Sequence, residues 1–585
     1  MKIIPAALAA FVLLVSPPSI APAYAQQQLL DYKTIHHPVI DDEAMVVSQN
    51  ELSSHIGAQI LAKGGNAVDA AVATGFALAV TLPRAGNLGG GGFMLIYLAE
   101  QDQTVAIDYR SAAPAAAADP SLYLDADGNR MDNADAGHMA AAVPGTVAGL
   151  KLAHERWGVL PWEEVVRPAM ELARDGITVT RDLSEALRWG RNRLESSDAA
   201  IAAYFKPDGS PYYFGDRLIQ SDLAWTLERI ATHGAEDFYR GDIAGRIVAD
   251  MEANGGHIAA KDLADYRARF RAPIATRYRD YLVVTMPPAS SGGVALLQML
   301  NMLEPFNLRE MGHNTSSTIH IMAEVMKLAY ADRRMSMGDP DFVTNPVELL
   351  ISKQYARDRS AQISRERATR SSQIVPYDPL ATESEDTTHY SIADRHGNIV
   401  SNTYTLGSSF GSGVVAAGTG ILLDNQIRNF SLRVGVPGAT FSNSQMNRIE
   451  PGKRMLSSMT PTIVFRDGEP YLVVGTPGGS TIINSVLQVI LNVVDHDMNI
   501  AEATYAPRLH QNYRPSELAI EPGFNQDSLD ILRAMGHNVE LRDTIGSAQT
   551  IMLDEGQILG AADPRRPGSG AVGVTNIRQI AQEGR

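Results

Sequence analysis

The strongest constraint on the fold is a change of texture at Asp386. Beyond it, His389-Tyr390-Ser391-Ile392-Ala393 and Ile399 to Leu406 are strand-like runs separated by Asp394-Arg395-His396-Gly397-Asn398, and a hairpin is the natural connection. Thr462-Ile463-Val464-Phe465 and Tyr471-Leu472-Val473-Val474, with a turn at Arg466-Asp467-Gly468, predict a second hairpin, and Ser480 to Val494 has the length of a helix. Upstream, Leu52 to Val80 carries helical signals, including Ile56, Ile60 and Leu61; Gly64-Gly65-Asn66 divides it into two helices. Phe93 to Leu98 reads as a buried strand, and Gly149 to about Asp339 as mostly helical, with a strand near Tyr281–Thr285. Two stretches read as surface connections, Ala112 to Pro120 and the polar Arg357–Glu385. Helices early and hairpins late imply sheets sandwiched between helices.

Composition narrows the function. The chain has 585 residues, 45% hydrophobic and 20% charged, which excludes both a disordered chain and a multi-span membrane protein. Its 66 acidic and 50 basic side chains leave a formal charge of −16, and no basic cluster offsets it, so nucleic acid is not an expected partner. Cysteine is absent, which removes disulfides, thiolate metal sites and a cysteine nucleophile together. Residues 1–25 read as a secretory signal: Lys2, an apolar run from Ala6 to Val15, and Ala23-Tyr24-Ala25 before Gln26. Pro17, Pro18 and Pro22 break the run and argue against an uncleaved anchor. The expected product is periplasmic or secreted, without a membrane span.

Several patterns compete as chemistry. Gly407-Ser408-Ser409-Phe410-Gly411 fits a nucleophile elbow with Ser409 as nucleophile, but the glycine-rich sequence after it is poor helix material, and an elbow needs a helix there. Asp125-x-Asp127-Gly128-Asn129 has the glycine of a calcium loop misplaced and reads as a solvated turn. Asp495-His496-Asp497 at a helix end reads as surface rather than as metal ligands. Pro477-Gly478-Gly479-Ser480, between a strand and a helix, is either an oxyanion site or a plain tight turn, and Gly89 to Gly92 carries the same ambiguity. Arg110, just after strand-like Val105 to Asp108, taken alone is a surface charge more often than a carboxylate clamp.

Asp386-Thr387-Thr388-His389-Tyr390-Ser391 orders these observations. Together with Pro83-x-Ala85-Gly86-Asn87-Leu88-Gly89-Gly90-Gly91-Gly92-Phe93, Val143-Pro144-Gly145-Thr146, Leu456-Ser457-Ser458-Met459-Thr460-Pro461 and Pro477-Gly478-Gly479, it resembles the γ-glutamyltransferase (γ-glutamyltranspeptidase) family from about Val46 to Gly573. The resemblance implies an N-terminal nucleophile hydrolase, an αββα sandwich made from a precursor that cuts itself between Asp386 and Thr387. A large chain Gln26–Asp386 and a small chain Thr387–Arg585 would result, with Thr388 as the register alternative for the nucleophile. A threonine hydroxyl needs an adjacent base, and a chain-terminal amine titrates near pH ~8 on the same residue, so one cut creates both. By resemblance, Thr387 attacks a γ-glutamyl amide such as glutathione, Thr405 orients its hydroxyl, and the Gly478 and Gly479 N–H groups hold the oxyanion. The acyl group then passes to water or to an amino acid or peptide amine. No metal or organic cofactor is implied.

The same resemblance places Arg110, Ser457 and Ser458 at the α-carboxylate and Gln426 near the α-amine. Three positions depart from the family pattern: Gly407 in place of an acceptor side chain, Asn429 in place of an aspartate, and Ser111 in place of a glutamate. All three remove polar or charged groups from one pocket end, which weakens ammonium binding and raises a glutaryl-type (cephalosporin) acylase as the alternative. Asn429's carbonyl still accepts a hydrogen bond, which favours ordinary γ-glutamyl transfer. Ser431 to Glu450 resembles the family's lid loop, with Phe441 as its aromatic. From a different class, a periplasmic solute-binding protein would stay uncut and use Arg110 only to bind.

Overall fold

A computed structural model describes residues 34–374, 386–432, 445–513, 516–575 and 577–578. The signal segment 1–25, residues 375–385 of the polar connection, and Phe441 with most of the lid-like loop lie outside the described residues.

Two seven-stranded sheets form the centre. In the first, the order is Gly570–Gly573, Met45–Ser48, Asp386–Ala393, Ile399–Gly407, Gly91–Leu98, Gln103–Tyr109 and Arg269–Arg271. In the second it is Val39–Asp41, Gln557–Ala562, Gln549–Asp554, Glu469–Val474, Thr462–Arg466, Tyr281–Thr285 and Ile274–Tyr278. Neighbours in both sheets pair antiparallel.

The strand Gly91–Leu98 shows why its sequence lacks polar alternation. Phe93, Leu95 and Tyr97 face the second sheet and meet Val284, Ile463, Phe465 and Val473, whereas Met94 and Ile96 face the helices Glu51–Ala62, Ala67–Thr81 and Thr146–Trp157. Both faces are buried, so a period of two would leave no polar side to write. Gly292–Leu303, Ser316–Ser336 and Thr481–Val494 cover the outer face of the second sheet. The four layers are helix, sheet, sheet, helix: the expected αββα sandwich.

Both anticipated hairpins form, and their turns have identifiable causes. Asp467 and Gly468 link Thr462–Arg466 to Glu469–Val474 at φ 55° and 93°, the left-handed geometry a two-residue hairpin demands. In the other hairpin, Asp394 accepts from the N–H groups of His396 and Asn398 at 2.8 and 3.0 Å, and its second oxygen caps the helix Ala67–Thr81 through Ala67 N–H at 2.8 Å. That helix begins where expected, with Asn66 and Asp69 forming a reciprocal capping box. One expectation fails: the segment from Ala112 to Pro120 is not simply a surface connection. Ala112, Ala113 and Ala117 are buried, and Ala113 N–H bonds the Lys453 carbonyl at 2.8 Å, which pulls this stretch under the 445–456 segment.

Truncating the inter-sheet core should be expensive because both sheets hold its shape. Phe93→Ala is expected to lower unfolding free energy by about 3–5 kcal/mol, read as a drop in the thermal or urea midpoint.

Candidate active site

The site forms where the first sheet breaks its register. Asp386 pairs with Gly407 and Thr388 with Tyr404, so two steps on one strand face three on the other, a bulge beside Thr387. The bulge brings the Thr405 hydroxyl onto the Asp386–Thr387 peptide. Thr405 donates to the Asp386 carbonyl at 2.6 Å, accepts from Thr387 Oγ1 at 3.2 Å, and accepts from Gly407 N–H at 2.9 Å. One hydroxyl therefore touches the proposed nucleophile and the carbonyl it would attack. Thr387 is buried, as is Thr388, but the Thr388 Oγ1 has no hydrogen-bond partner among the described residues.

His389, two residues on, is not a candidate base. Ser391 donates its proton to the Gln549 carbonyl at 2.9 Å, so it must accept from His389 Nε2 at 3.1 Å, and His389 Nδ1 in turn accepts from Thr403 at 2.8 Å. This assigns a neutral ring, in keeping with burial that pushes its pKa down to about 3. The ring lies against Gly475, where a Cβ would approach its atoms to 2.2 Å.

The facing wall comes from the second sheet. Gly478 and Gly479 follow Glu469–Val474 and precede the helix Thr481–Val494, with φ 131° and 56° that disfavour any side chain. Their carbonyls turn toward Thr481 N–H at 3.0 Å and Ser458 Oγ at 2.6 Å, and their own N–H groups donate to no group among the described residues. Ser458 thus acts on the geometry of Gly479. Arg110 is buried, with Nε donating to the Met455 carbonyl at 3.3 Å, so the surface-charge reading of this arginine does not hold. Ser457 is buried too, and its hydroxyl accepts from Met459 N–H at 3.1 Å. The run Gly89 to Gly92 serves close approach: a Cβ at Gly90 would lie 2.1 Å from the Thr405 carbonyl.

At the other pocket end the residues have been rewired rather than stripped. Gly407 has φ 98°, and the Asn425 side-chain oxygen Oδ1 sits 2.1 Å from where its Cβ would be. Ser111 donates to Asp424 at 2.6 Å, and Gln426 Nε2 donates to Asp424, Ser111 and the Thr405 carbonyl at 2.8, 3.1 and 3.1 Å. Asp424, which the motif reading passed over although it lies two residues before Gln426, is fully buried. Burial pushes its pKa up to about 6 against the pull of Ser111, backbone N–H groups and Arg110. The expectation that this end simply loses charge therefore needs correction: a carboxylate remains, spent on holding Ser111 and Gln426. Two acceptor oxygens on the turn Gln426–Asn429, Gln426 Oε1 and Asn429 Oδ1, are buried without a partner among the described residues.

The competing motifs resolve plainly. Ser409 follows a strand, but turns rather than a helix come next, and its hydroxyl donates to the Asp386 carboxylate. Asp125 accepts from the N–H groups of Asp127 and Asn129 at 2.9 and 2.7 Å in an exposed turn. Asp495 holds Tyr278 at 2.7 Å and Arg279 at 3.1 Å. His320, Glu324 and His537 lie within 4.8 Å of one another, but the two rings bond each other at 2.8 Å, and Glu324 is taken by Lys327 at 2.8 Å and Thr369 N–H at 3.1 Å. Donors that already satisfy one another make a poor ligand set.

An αββα sandwich with a threonine at the mouth between its sheets defines an N-terminal nucleophile hydrolase. Residues 53–573 match the family model Gamma-glutamyltranspeptidase. The glutathione hydrolase proenzyme of Escherichia coli (strain K12) is 46% identical over 535 residues, covering 91% of this chain and 92% of that protein. The acylase ACY 1 proenzyme of Pseudomonas sp. (strain V22) is 38% identical over 550 residues, covering 93% and 96%. Among solved structures, a cephalosporin acylase from Bacillus halodurans superposes with a TM-score of 0.82 at 29% identity, covering 93% of this chain and 98% of that one. The Helicobacter pylori γ-glutamyltranspeptidase gives 0.54 at 44% identity over 56% of this chain and 93% of that one. This chain belongs to the γ-glutamyltranspeptidase family.

The buried imidazoles give a pH prediction. His389, His510 and His537 are all held near pKa 3 by burial, below the ~6.5 of an exposed ring. The unfolded chain takes up protons that the folded chain refuses as pH falls from about 6.5 toward 3, so stability is lost in that window. Each ring contributes a slope of about 1.4 kcal/mol per pH unit. The thermal midpoint should fall between pH 7 and pH 5, and the His389 ring should show no titration by NMR over the same range.

Proposed function

We propose that the protein is an exported, self-processing γ-glutamyl hydrolase/transferase acting on γ-glutamyl amides such as glutathione. The observation that carries this reading is the Thr405 hydroxyl, which links Thr387 Oγ1 to the Asp386 carbonyl. Thr387 Oγ adds to that carbonyl, Thr405 stabilises the oxygen as charge develops, and the C–N bond to Thr387 breaks as the hydroxyl proton passes to the freed amine. Water then cleaves the resulting ester, leaving Asp386 as a carboxylate and Thr387 as a free chain start. In turnover the α-amine of Thr387 takes the hydroxyl proton, Thr387 Oγ attacks the γ-carbonyl, and the Gly478 and Gly479 N–H groups receive the oxyanion. The donor's amine leaves with the proton. Water or an acceptor amine displaces Thr387 from the acyl carbon.

Arg110, Ser457 and Ser458 support a site for the α-carboxylate, since a buried arginine favours an anion and hydroxyls can donate to one. For the α-ammonium, the unpartnered oxygens of Gln426 and Asn429 favour a γ-glutamyl donor, because a buried acceptor left without a hydrogen bond is unfavourable and a glutaryl group has no ammonium to offer. The acylase alternative retains support from the departures at Gly407, Ser111 and Asn429. The signal-like residues 1–25 support delivery to the periplasm or medium. Among the described residues, no helix is long and apolar enough to cross a membrane.

Self-cutting and donor preference test the reading. Intact mass and N-terminal sequencing should give two chains, one beginning at Thr387; Thr387→Ala should remain a single uncut chain without activity. Thr405→Ala should slow self-cutting by about 10²–10³-fold, the usual effect of losing one oxyanion donor, while Thr405→Ser restores most of it. In initial rates, γ-glutamyl-p-nitroanilide should be cleaved at least tenfold better than glutaryl-p-nitroanilide. The reverse preference would make the protein a glutaryl-type acylase.

A further inference from the structure

Asp386 has a second attachment besides its carbonyl. Its carboxylate accepts from Ser409 Oγ and pairs with Arg566 at 3.3 Å. Arg84, buried and paired with Asp182 at 3.2 Å, adds positive charge felt by both Arg566 and Asp386. Arg566 is held in place by its neighbour: Arg565 binds Glu521 Oε1 at 2.7 Å and Asp563 at 3.0 Å, and Asp563 pairs with buried Arg508 at 2.7 Å. Neither Ser409 nor Arg566 belongs to the acyl pocket of Arg110, Ser457 and Ser458. Arg566, together with Asp386 itself, instead borders a cavity of about 350 Å³ whose wall also includes Gly478, Thr481 and Arg542. Arg542 is balanced there by Glu517 at 3.6 Å. When Asp386 leaves, Arg566 and Ser409 lose the carboxylate they hold, beside the N–H of Gly478.

We propose that this vacated seat, Ser409 and Arg566 with Arg84 behind them, binds the carboxylate of the amino acid or dipeptide acceptor, with Asp386 acting as its stand-in before cutting. The assignment rests on the γ-glutamyl transfer reading, because it requires Asp386 to be cut free and an amine to attack the acyl-threonine. The geometry suits that attack. In the proposed reaction the acyl carbon is bonded to Thr387 Oγ with its oxygen toward the Gly478 N–H, and since Gly478 and Arg566 both line this cavity, an acceptor entering there would bring its amine toward that carbon while its carboxylate trails at Arg566. A leaving cysteinylglycine would exit through the same seat, since the leaving amine and the attacking amine occupy one side of the carbonyl. The cavity is large enough for a dipeptide. The role also gives Ser409 a use, while its neighbour Phe410 is buried in the core.

The test compares acceptors that differ only in charge at the carboxyl end. With the mature, cut enzyme and γ-glutamyl-p-nitroanilide as donor, glycylglycine should show a KM at least tenfold below that of glycylglycinamide, the ratio expected for one charge-assisted contact. In Arg566→Gln the ratio should collapse to about twofold or less, and in Ser409→Ala it should shrink by a smaller factor. Glutathione and the anilide extend the comparison to leaving groups: Arg566→Gln should raise the KM ratio of glutathione to anilide, because only glutathione's departing half carries a carboxylate. Equal KM values for the two acceptors in the wild type would overturn the seat, as would an unchanged ratio in Arg566→Gln. If that variant stays uncut, the wild-type comparison and Ser409→Ala still decide. A cut wild type that releases no aniline would instead overturn the γ-glutamyl reading. Calorimetric titration of glycylglycine against glycylglycinamide would then decide the seat separately.

Discussion

The hydrogen bond from Thr405 to the Asp386 carbonyl is the contact on which the rest of the site depends. It exists because the sheet slips by one residue there, and the slip is affordable because both sheets are pinned elsewhere. The hairpin turn at Asp394 caps a helix, and the strand Ile399–Gly407 is clamped against Gly91–Leu98 on its other edge. With its neighbours fixed, the bulge has only one place to put Thr405. A threonine suits the position sterically as well: it is β-branched, stiff at χ1, and therefore holds its hydroxyl in a narrow range of directions.

The two halves of the site are supplied by different sheets, which is why rigidity of the sandwich matters to chemistry. Thr387 and Thr405 ride on the first sheet, while Gly478, Gly479 and Ser458 hang from the second. The inter-sheet layer between Phe93 and Ile463 sets the distance from Thr387, the proposed nucleophile, to the N–H groups of Gly478 and Gly479. His389 belongs to this layer rather than to catalysis. It is the residue in the Thr-Thr-His motif with the strongest catalytic reputation by type, yet its neighbours leave it neutral and saturated, so the base must come from elsewhere. In the proposed reaction that base is the α-amine that cutting would expose on Thr387.

What the sequence disclosed and what it concealed follow the same physics. Both hairpins, the divided helices and the helix after Gly479 were legible because turn residues and apolar runs act locally. The candidate site residues Thr387, Thr405, Arg110, Gln426 and Gly478 were legible only through the family motifs, since spacing alone could not show that strands from two sheets would meet. Asp424 stayed hidden because a buried carboxylate in Asp-Asn-Gln looks like any polar loop until its partners Ser111 and Gln426, one of them 313 residues away in the chain, are placed around it. Arg566 was hidden for the same reason: its partner Asp386 is 180 residues distant. The misreading of Ala112 to Pro120 has the opposite cause, since small residues permit close burial as readily as exposure.

The pocket end near Asn429 shows how such rewiring redistributes charge without abolishing it. Losing a carboxylate at the proposed ammonium position removes negative charge from the neighbourhood of the buried Arg110, which is unfavourable. Asp424 supplies a negative group nearby, and Ser111, in the place where the family keeps a glutamate, is the residue that hydrogen-bonds it. In the proposed binding mode the arrangement trades a direct ionic contact with substrate for neutral acceptors at Gln426 and Asn429, backed by the Asp424 carboxylate. A neutral acceptor holds an ammonium less tightly than a carboxylate does, by roughly a factor of two in hydrogen-bond strength. Weaker retention of the acyl donor is compatible with the proposed acceptor seat at Arg566, because discrimination can then come from the incoming amine as much as from the departing one.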